Sequence, residues 1–303
     1  MMSLGRSAAH SRRLHRNNIW DDLIIAFVVL MMVLCVYPFW YVLIGSFSNG
    51  ADYMRGGVYL LPRKWSLENY IVTLADSRLY TGFRVTILRT VICTVTNVLF
   101  TAVVAYGMSR NDLPFRKTIY MINMFTMFFG GGLIPFYMLL KQLKLINTFW
   151  VYVIPGLYSV YNMLICSSYF RSLPEELHES ATLDGASEFR IFGQLYMPLS
   201  TPVLATIALW VAVGHWNDFY SSMVYTTSPD LQTLQLYLYK MIKTSEFVSS
   251  ADMGGLPSEI QQNVTATTVR YATIIISTVP ILCLYPFIQK FLTKGIMIGA
   301  IKG

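Results

Sequence analysis

Several residues able to do chemistry in this 303-residue chain lie inside or beside apolar runs. The stretch "GHWNDFY" (214–220) groups His215, Trp216, Asn217 and Asp218. Amide, acid and ring side chains suit a sugar, which offers hydroxyls and a flat C–H face. An interfacial aromatic belt of Trp216 and Tyr220, with Asp218 at the water boundary, accounts for the same residues. "YSVYN" (158–162) supplies Tyr158, Tyr161 and Asn162, either for a sugar or for hydrogen bonds between helices. Asn97 lies in a further apolar run, and Arg89 stands at its start. Arg89 either snorkels to the headgroups or faces a cavity and grips a uronate carboxylate through its forked donors. Polar groups at membrane depth are functional candidates by default. Arg89, Asn97, Tyr158, Tyr161, Asn162, Trp216, Asn217 and Asp218 therefore form the candidate substrate pathway.

Other chemistries fit less well. His215 has no second ligand at helical spacing, so a metal site is not expected. Cys35, Cys93, Cys166 and Cys283 sit in apolar runs without paired spacing and read as buried, reduced packing residues. The acids, His and Cys at membrane depth are isolated, whereas a membrane enzyme needs them clustered. No Gly-Lys dipeptide occurs, so the Walker A phosphate loop is absent. The chain is expected not to be an enzyme and to bind no cofactor of its own.

The elements that position these residues follow from composition. Hydrophobic residues make up 54% and charged residues 13%, against about 25% charged in soluble domains. Six stretches carry no Asp, Glu, Lys or Arg: 23–51, 90–109, 118–140, 145–170, 191–217 and 271–289. A helix needs roughly 20 apolar residues to cross the hydrocarbon core, and backbone groups in lipid pair within the segment. The ten-residue alternation of a membrane barrel is absent. The fold class is all-α integral membrane, with six transmembrane helices at about 22–46, 85–108, 117–140, 148–170, 200–224 and 269–292.

An even span number puts both termini on one side. Arg6, Arg12, Arg13 and Arg16 precede the first span and no base follows it closely, which favours both termini in the cytoplasm. The net charge of +7 is thus largely topological. "SRRLHR" is not an export signal, because a long apolar run follows without a small-residue cleavage site. "GGGLIPFY" (130–137) marks either close packing of helix 3 through small residues or a bent helix lining a cavity. The apolar spacing in "LQTLQLYLYKMI" (231–242) predicts a short helix lying on the outer membrane face.

The segment 171–204, "RSLPEELHESATLDGASEFRIFGQLYMPLSTPVL", is polar in an apolar chain. It holds five acids and two bases where inside loops are usually basic, and it exceeds a simple helix connection. Pro174 suits a helix start, and Glu175 and Glu176 suit the first turn. Leu177, Ala181 and Leu183 lie near one face. Gly185 breaks the helix. A second short helix presents Phe189, Ile191, Phe192 and Leu195, and Pro198 ends it. The expected form is a two-helix elbow on the cytoplasmic surface.

This segment resembles the membrane subunits of binding-protein-dependent ABC importers, marked by Glu-Ala-Ala, three residues, Gly, nine residues, Ile-x-Leu-Pro. Glu179, Ala181, Gly185 and Pro198 match; Ser180, Leu195 and Met197 depart from the pattern but keep size or polarity class. The resemblance covers roughly 60–303. "AYGMSR" (105–110), "GGLIPFY" (131–137), "WND" (216–218) and "GAIKG" (299–303) resemble the carbohydrate, maltose-permease-like branch, and within it permeases for oligosaccharides released from polysaccharides.

The resemblance implies a type I ABC importer transmembrane domain with cytoplasmic coupling helices, spanning 85–292. A tail, first helix and outer loop precede it (1–84), and a cytoplasmic tail follows (293–303). Glu179, Ser180, Ala181, Leu183, Asp184, Gly185, Phe189, Leu195 and Pro198 would couple to a cytoplasmic ATPase. Two ATPase subunits carrying ATP and Mg would drive alternating access. The other implied partners are a second, homologous permease subunit, an extracytoplasmic sugar-binding protein, and membrane lipid; nucleic acid is not one. The 231–242 helix would touch the binding protein, and "GIMIGAIKG" (295–303) would reach the ATPase interface. Inverting a two-state transporter takes about 5.5 kcal/mol of differential binding. An uncharged sugar gives little of that, and ATP on a partner can supply it. An ion-coupled secondary transporter acting without an ATPase is the alternative, although two matching halves are not evident.

Overall fold

The computed structural model describes residues 19–243 and 257–300, with side chains for all of these except 259 and 284–300. The four N-terminal arginines and the last three residues of the C-terminal tail lie outside that description.

Helix α1 (Ile19–Ser46) buries only its last turn, Ile44, Gly45 and Ser46, and packs beside the last helix. Two short helices follow, α2 (Gly50–Tyr53) and α3 (Glu68–Ala75). Helix α4 (Ser77–Ser109) is the central rod. It begins where the Asp76 carboxylate accepts the Arg78 N–H at 2.9 Å, which satisfies a donor that a helix start leaves orphaned.

Three spans expected as continuous are broken. Residues 117–140 form α5 (Arg116–Phe128) and α6 (Leu133–Gln142), bent by 113°. The break ends at Gly132, whose φ of +80° a glycine adopts at little cost. A Cβ on Gly130 or Gly132 would meet nothing within 4 Å. Close small-residue packing is therefore not what these glycines provide within this chain; a bend is. Residues 148–170 form α7 (Trp150–Val153) and α8 (Val160–Arg171), separated at Pro155–Gly156.

The polar segment forms α9 (Glu175–Leu183) and α10 (Glu188–Ile191), which continues through a π turn (Phe192–Tyr196) into α11 (Met197–Leu199). The chain then turns by 78° into α12 (Thr201–Asn217). The third expected span breaks at Asp218 before α13 (Tyr220–Tyr225). Helices α14 (Leu234–Lys243), α15 (Ser258–Asn263) and α16 (Ala266–Ala300) complete the order.

Helix α14 is packed into the end of the bundle opposite the elbow. Leu234, Leu236, Tyr237, Leu238 and Met241 are buried, and Tyr237 donates to Asp76 at 2.9 Å. A Cβ on Gly82 would meet Leu234 Cα at 3.0 Å, so a larger residue there would push α14 off α4. Cys93 and Cys166 are buried as expected, but Cys35 and Cys283 are exposed on the outer surface of this chain.

Candidate functional site

Two sites emerge. The first is the elbow. Helix α9 carries Glu175 and Glu176 in its first turn, where its dipole favours them. It ends at Gly185, with φ +76°, in a Schellman motif. Gly185 N donates to Thr182 O and Ala186 N to Ala181 O, both at 3.0 Å. The second half is fused to the bundle. Ile191 and Tyr196 are buried in one cluster with Ala102 and Ala105 of α4, Met163 and Phe170 of α8, and Ile207 of α12, and Ala181 and Leu195 pack partly against it.

Leu183 and Phe189, flanking the bend, are each 89% exposed. Leu183 therefore does not share the Ala181 face, nor Phe189 the Ile191 face, because residues two positions apart on a helix point to opposite sides. Glu179, Ser180, Asp184 and Gly185 are also exposed. The helix runs through Pro198, at the start of the terminal turn, and stops at Ser200 instead.

A polar clamp holds the elbow. His178 is buried, with Nε2 3.4 Å from Glu188 Oε1. The Tyr106 hydroxyl of α4 donates to the other Glu188 oxygen. One acid of α10 thus bridges α9 and the central rod. The sequence carried no periodic signal for it, because the three residues sit on three elements.

The second site is a cleft of ≈ 280 Å³ lined by Asn97, Gly156, Ser159, Asn162, His215 and Asp218, among others. The Asn97 amide donates to Gly156 O at 2.7 Å and Leu157 O at 3.3 Å, which satisfies carbonyls freed by the α7–α8 break. The Pro155–Gly156 pair signalled that break in the sequence. Arg89 is 2% exposed. Its Nη1 donates to Asp218 O at 3.1 Å, its Nη2 pairs with the Asp218 carboxylate, and its guanidinium lies 4.5 Å from the Tyr152 ring centroid. Arg89 therefore does not snorkel, and both its terminal nitrogens are engaged.

The remaining candidates separate from the cleft. Trp216, 7% exposed, packs in a cluster with Leu79, Leu234 and Tyr237 and forms no belt. Tyr158 donates to Asn123 and stacks edge-on to Phe100. Tyr161 is exposed beside Trp210, and Asn217 donates back to Val213 O at 2.9 Å. The cleft thus gathers Asn97, Asn162 and Asp218 with His215.

The profile described as "Binding-protein-dependent transport system inner membrane component" matches residues 1–298. The chain belongs to that family. It is 32% identical over 291 residues to the polygalacturonan/rhamnogalacturonan transport system permease protein YtcP of Bacillus subtilis, covering 95% of this chain and 100% of that one. It is 33% identical over 287 residues to protein LplC of the same organism, covering 94% and 95%. A solved bacterial ABC transporter involved in import of the acidic polysaccharide alginate superposes with a TM-score of 0.83 at 30% identity, over 90% of this chain and 96% of that chain. This inner-membrane component therefore has the all-α integral membrane fold of a type I importer permease.

Proposed function

We propose that this chain is the permease subunit of an ATP-driven importer moving an oligosaccharide from polysaccharide breakdown by alternating access. The elbow carries this reading. Leu183 and Phe189 stand exposed on a bend whose other half is built into the bundle core. Exposed apolar side chains of this size suit burial in a partner's groove, and a rigid root lets movement there reach α4, α8 and α12. The partner is one of two cytoplasmic ATPase subunits, which hold ATP and Mg. The termini lie on that cytoplasmic side. The pathway forms against a second permease subunit, and an extracytoplasmic binding protein delivers the sugar. Asn97, Asn162, His215 and Asp218 are this chain's contribution to the sugar path, and the relatives' names support a carbohydrate cargo.

Co-purification tests the assembly. The full chain should bring down an ATPase and a second permease, and Leu183→Asp with Phe189→Asp should release the ATPase while keeping the second permease. Uptake by the purified chain alone, driven by an ion gradient, would overturn the reading.

A further inference from the structure

We propose that a basic cleft at the elbow end of the bundle binds the phosphate headgroup of an anionic phospholipid. The cleft, of ≈ 690 Å³, lies between the α4–α5 turn, the start of α5 and the end of α8, and Asn111, Phe115, Arg116, Lys117, Tyr120 and Arg171 line it. Tyr120 organises it. Its hydroxyl is 2.9 Å from Ser167 Oγ of α8, which fixes the ring. The guanidinium carbons of Arg116 and Arg171 lie 5.8 Å and 5.7 Å from that ring's centroid. Arg116 is further oriented by a 2.8 Å hydrogen bond from Nη1 to Asn111 Oδ1.

Among the described residues, Arg116, Lys117 and Arg171 line the cleft without a carboxylate beside them in its lining. Among the same residues no carboxylate pairs with any of these three cations. Asp112 pairs with Arg110 at 3.4 Å instead, and Glu175 lines an adjoining cleft that shares Asn111 and Arg171. Helix α5 begins here without a side-chain cap, so the positive end of its dipole adds to the field. A phosphate answers this geometry, because guanidinium groups donate to it in pairs.

A lipid fits better than a free phosphate. Helix α5 buries no residue, and Met121, Ile122, Phe125 and Phe128 are exposed along the helix that leaves the cleft. Headgroup charge and acyl surface are therefore continuous. Assignment to the cytoplasmic leaflet rests on the orientation proposed above; the headgroup chemistry does not.

The test reads lipid retention by the purified full-length chain in mixed vesicles of phosphatidylglycerol and phosphatidylcholine, by native mass spectrometry. Each cation near an anionic surface contributes a factor of about five. Wild type should prefer phosphatidylglycerol by about tenfold or more. Arg116→Gln with Arg171→Gln should cut the preference several-fold, leaving at most the factor of about five from Lys117, and Arg116→Lys with Arg171→Lys should retain more of it. Equal retention of both lipids by wild type, which needs no variant, would overturn the proposal. So would displacement of the bound lipid by millimolar inorganic phosphate, which would mark a free-phosphate site. Loss of the ATPase in co-purification would leave this readout unchanged, so the two proposals fail separately.

Discussion

Arg89 of α4 reaches Asp218, 129 residues away, at the break between α12 and α13. Its Nη1 donates to the Asp218 carbonyl freed by that break and its Nη2 to the carboxylate, while Asp218 Oδ1 accepts Ser221 N, in the first turn of α13, at 3.1 Å. The pair converts an interruption of the span into a fixed joint beside the cleft.

Breaking a buried pair by removing one partner costs about 3–5 kcal/mol, because the other charge is left uncompensated. Arg89→Ala and Asp218→Leu should each lower the thermal unfolding midpoint strongly. Arg89→Met with Asp218→Leu should recover most of the loss. Uptake by Arg89→Ala should fall equally for acidic and neutral oligosaccharides, since both terminal nitrogens already serve Asp218. A selective loss of acidic cargo would instead restore the uronate role for Arg89.

The Glu188 clamp makes a different prediction. Tyr106→Phe removes one hydrogen bond to a carboxylate that is partly in water, worth about 1 kcal/mol. Global stability should barely change. Amide exchange in α9 should rise several-fold, because the elbow loses its tie to the central rod. Unchanged protection in α9 would mean that core packing through Ile191 and Tyr196 alone holds the elbow.

Gly185 separates conformation from contact. A Cβ there meets nothing within 4 Å, yet φ is +76°. Left-handed backbone costs most residues about 1–2 kcal/mol and Asn less. Uptake should therefore fall in the order Gly185, Gly185→Asn, Gly185→Val. Gly185→Asn and Gly185→Val behaving alike would point to a steric contact with a partner instead.

Much of this was legible in the chain, and the misses have physical reasons. Charge-free runs marked the apolar segments, and glycine with the two first-turn acids marked the elbow. "GGGLIPFY" left a bend open beside close packing, and the structure takes the bend at Gly132. The break at Asp218 did not, because neither glycine nor proline stands there and Arg89 supplies the satisfaction from another helix. Trp216 looked like a belt residue because its partners, Leu79 and Leu234, are distant in sequence. Leu183 and Phe189 were grouped with residues two positions away, which a helix turns to its opposite side.

Asp76 links the stability of the end opposite the elbow to pH. Burial alone would raise its carboxyl, but hydrogen bonds from the Arg78 side chain and backbone and from Tyr237, with the Arg78 charge, outweigh that and hold it below the ordinary carboxylate range. A depressed folded value adds stability that is complete above the unfolded value, about 3.9, and is lost as pH falls through the folded one. The unfolding midpoint should thus be insensitive to Asp76 from pH 5 to 8 and decline below about pH 4. Asp76→Asn keeps a cap acceptor for α4 but loses the charge. Its midpoint should be lower than wild type at pH 7 and converge on it in acid. Parallel curves at all pH values would show that the carboxylate acts only as a hydrogen-bond acceptor and that its charge contributes nothing.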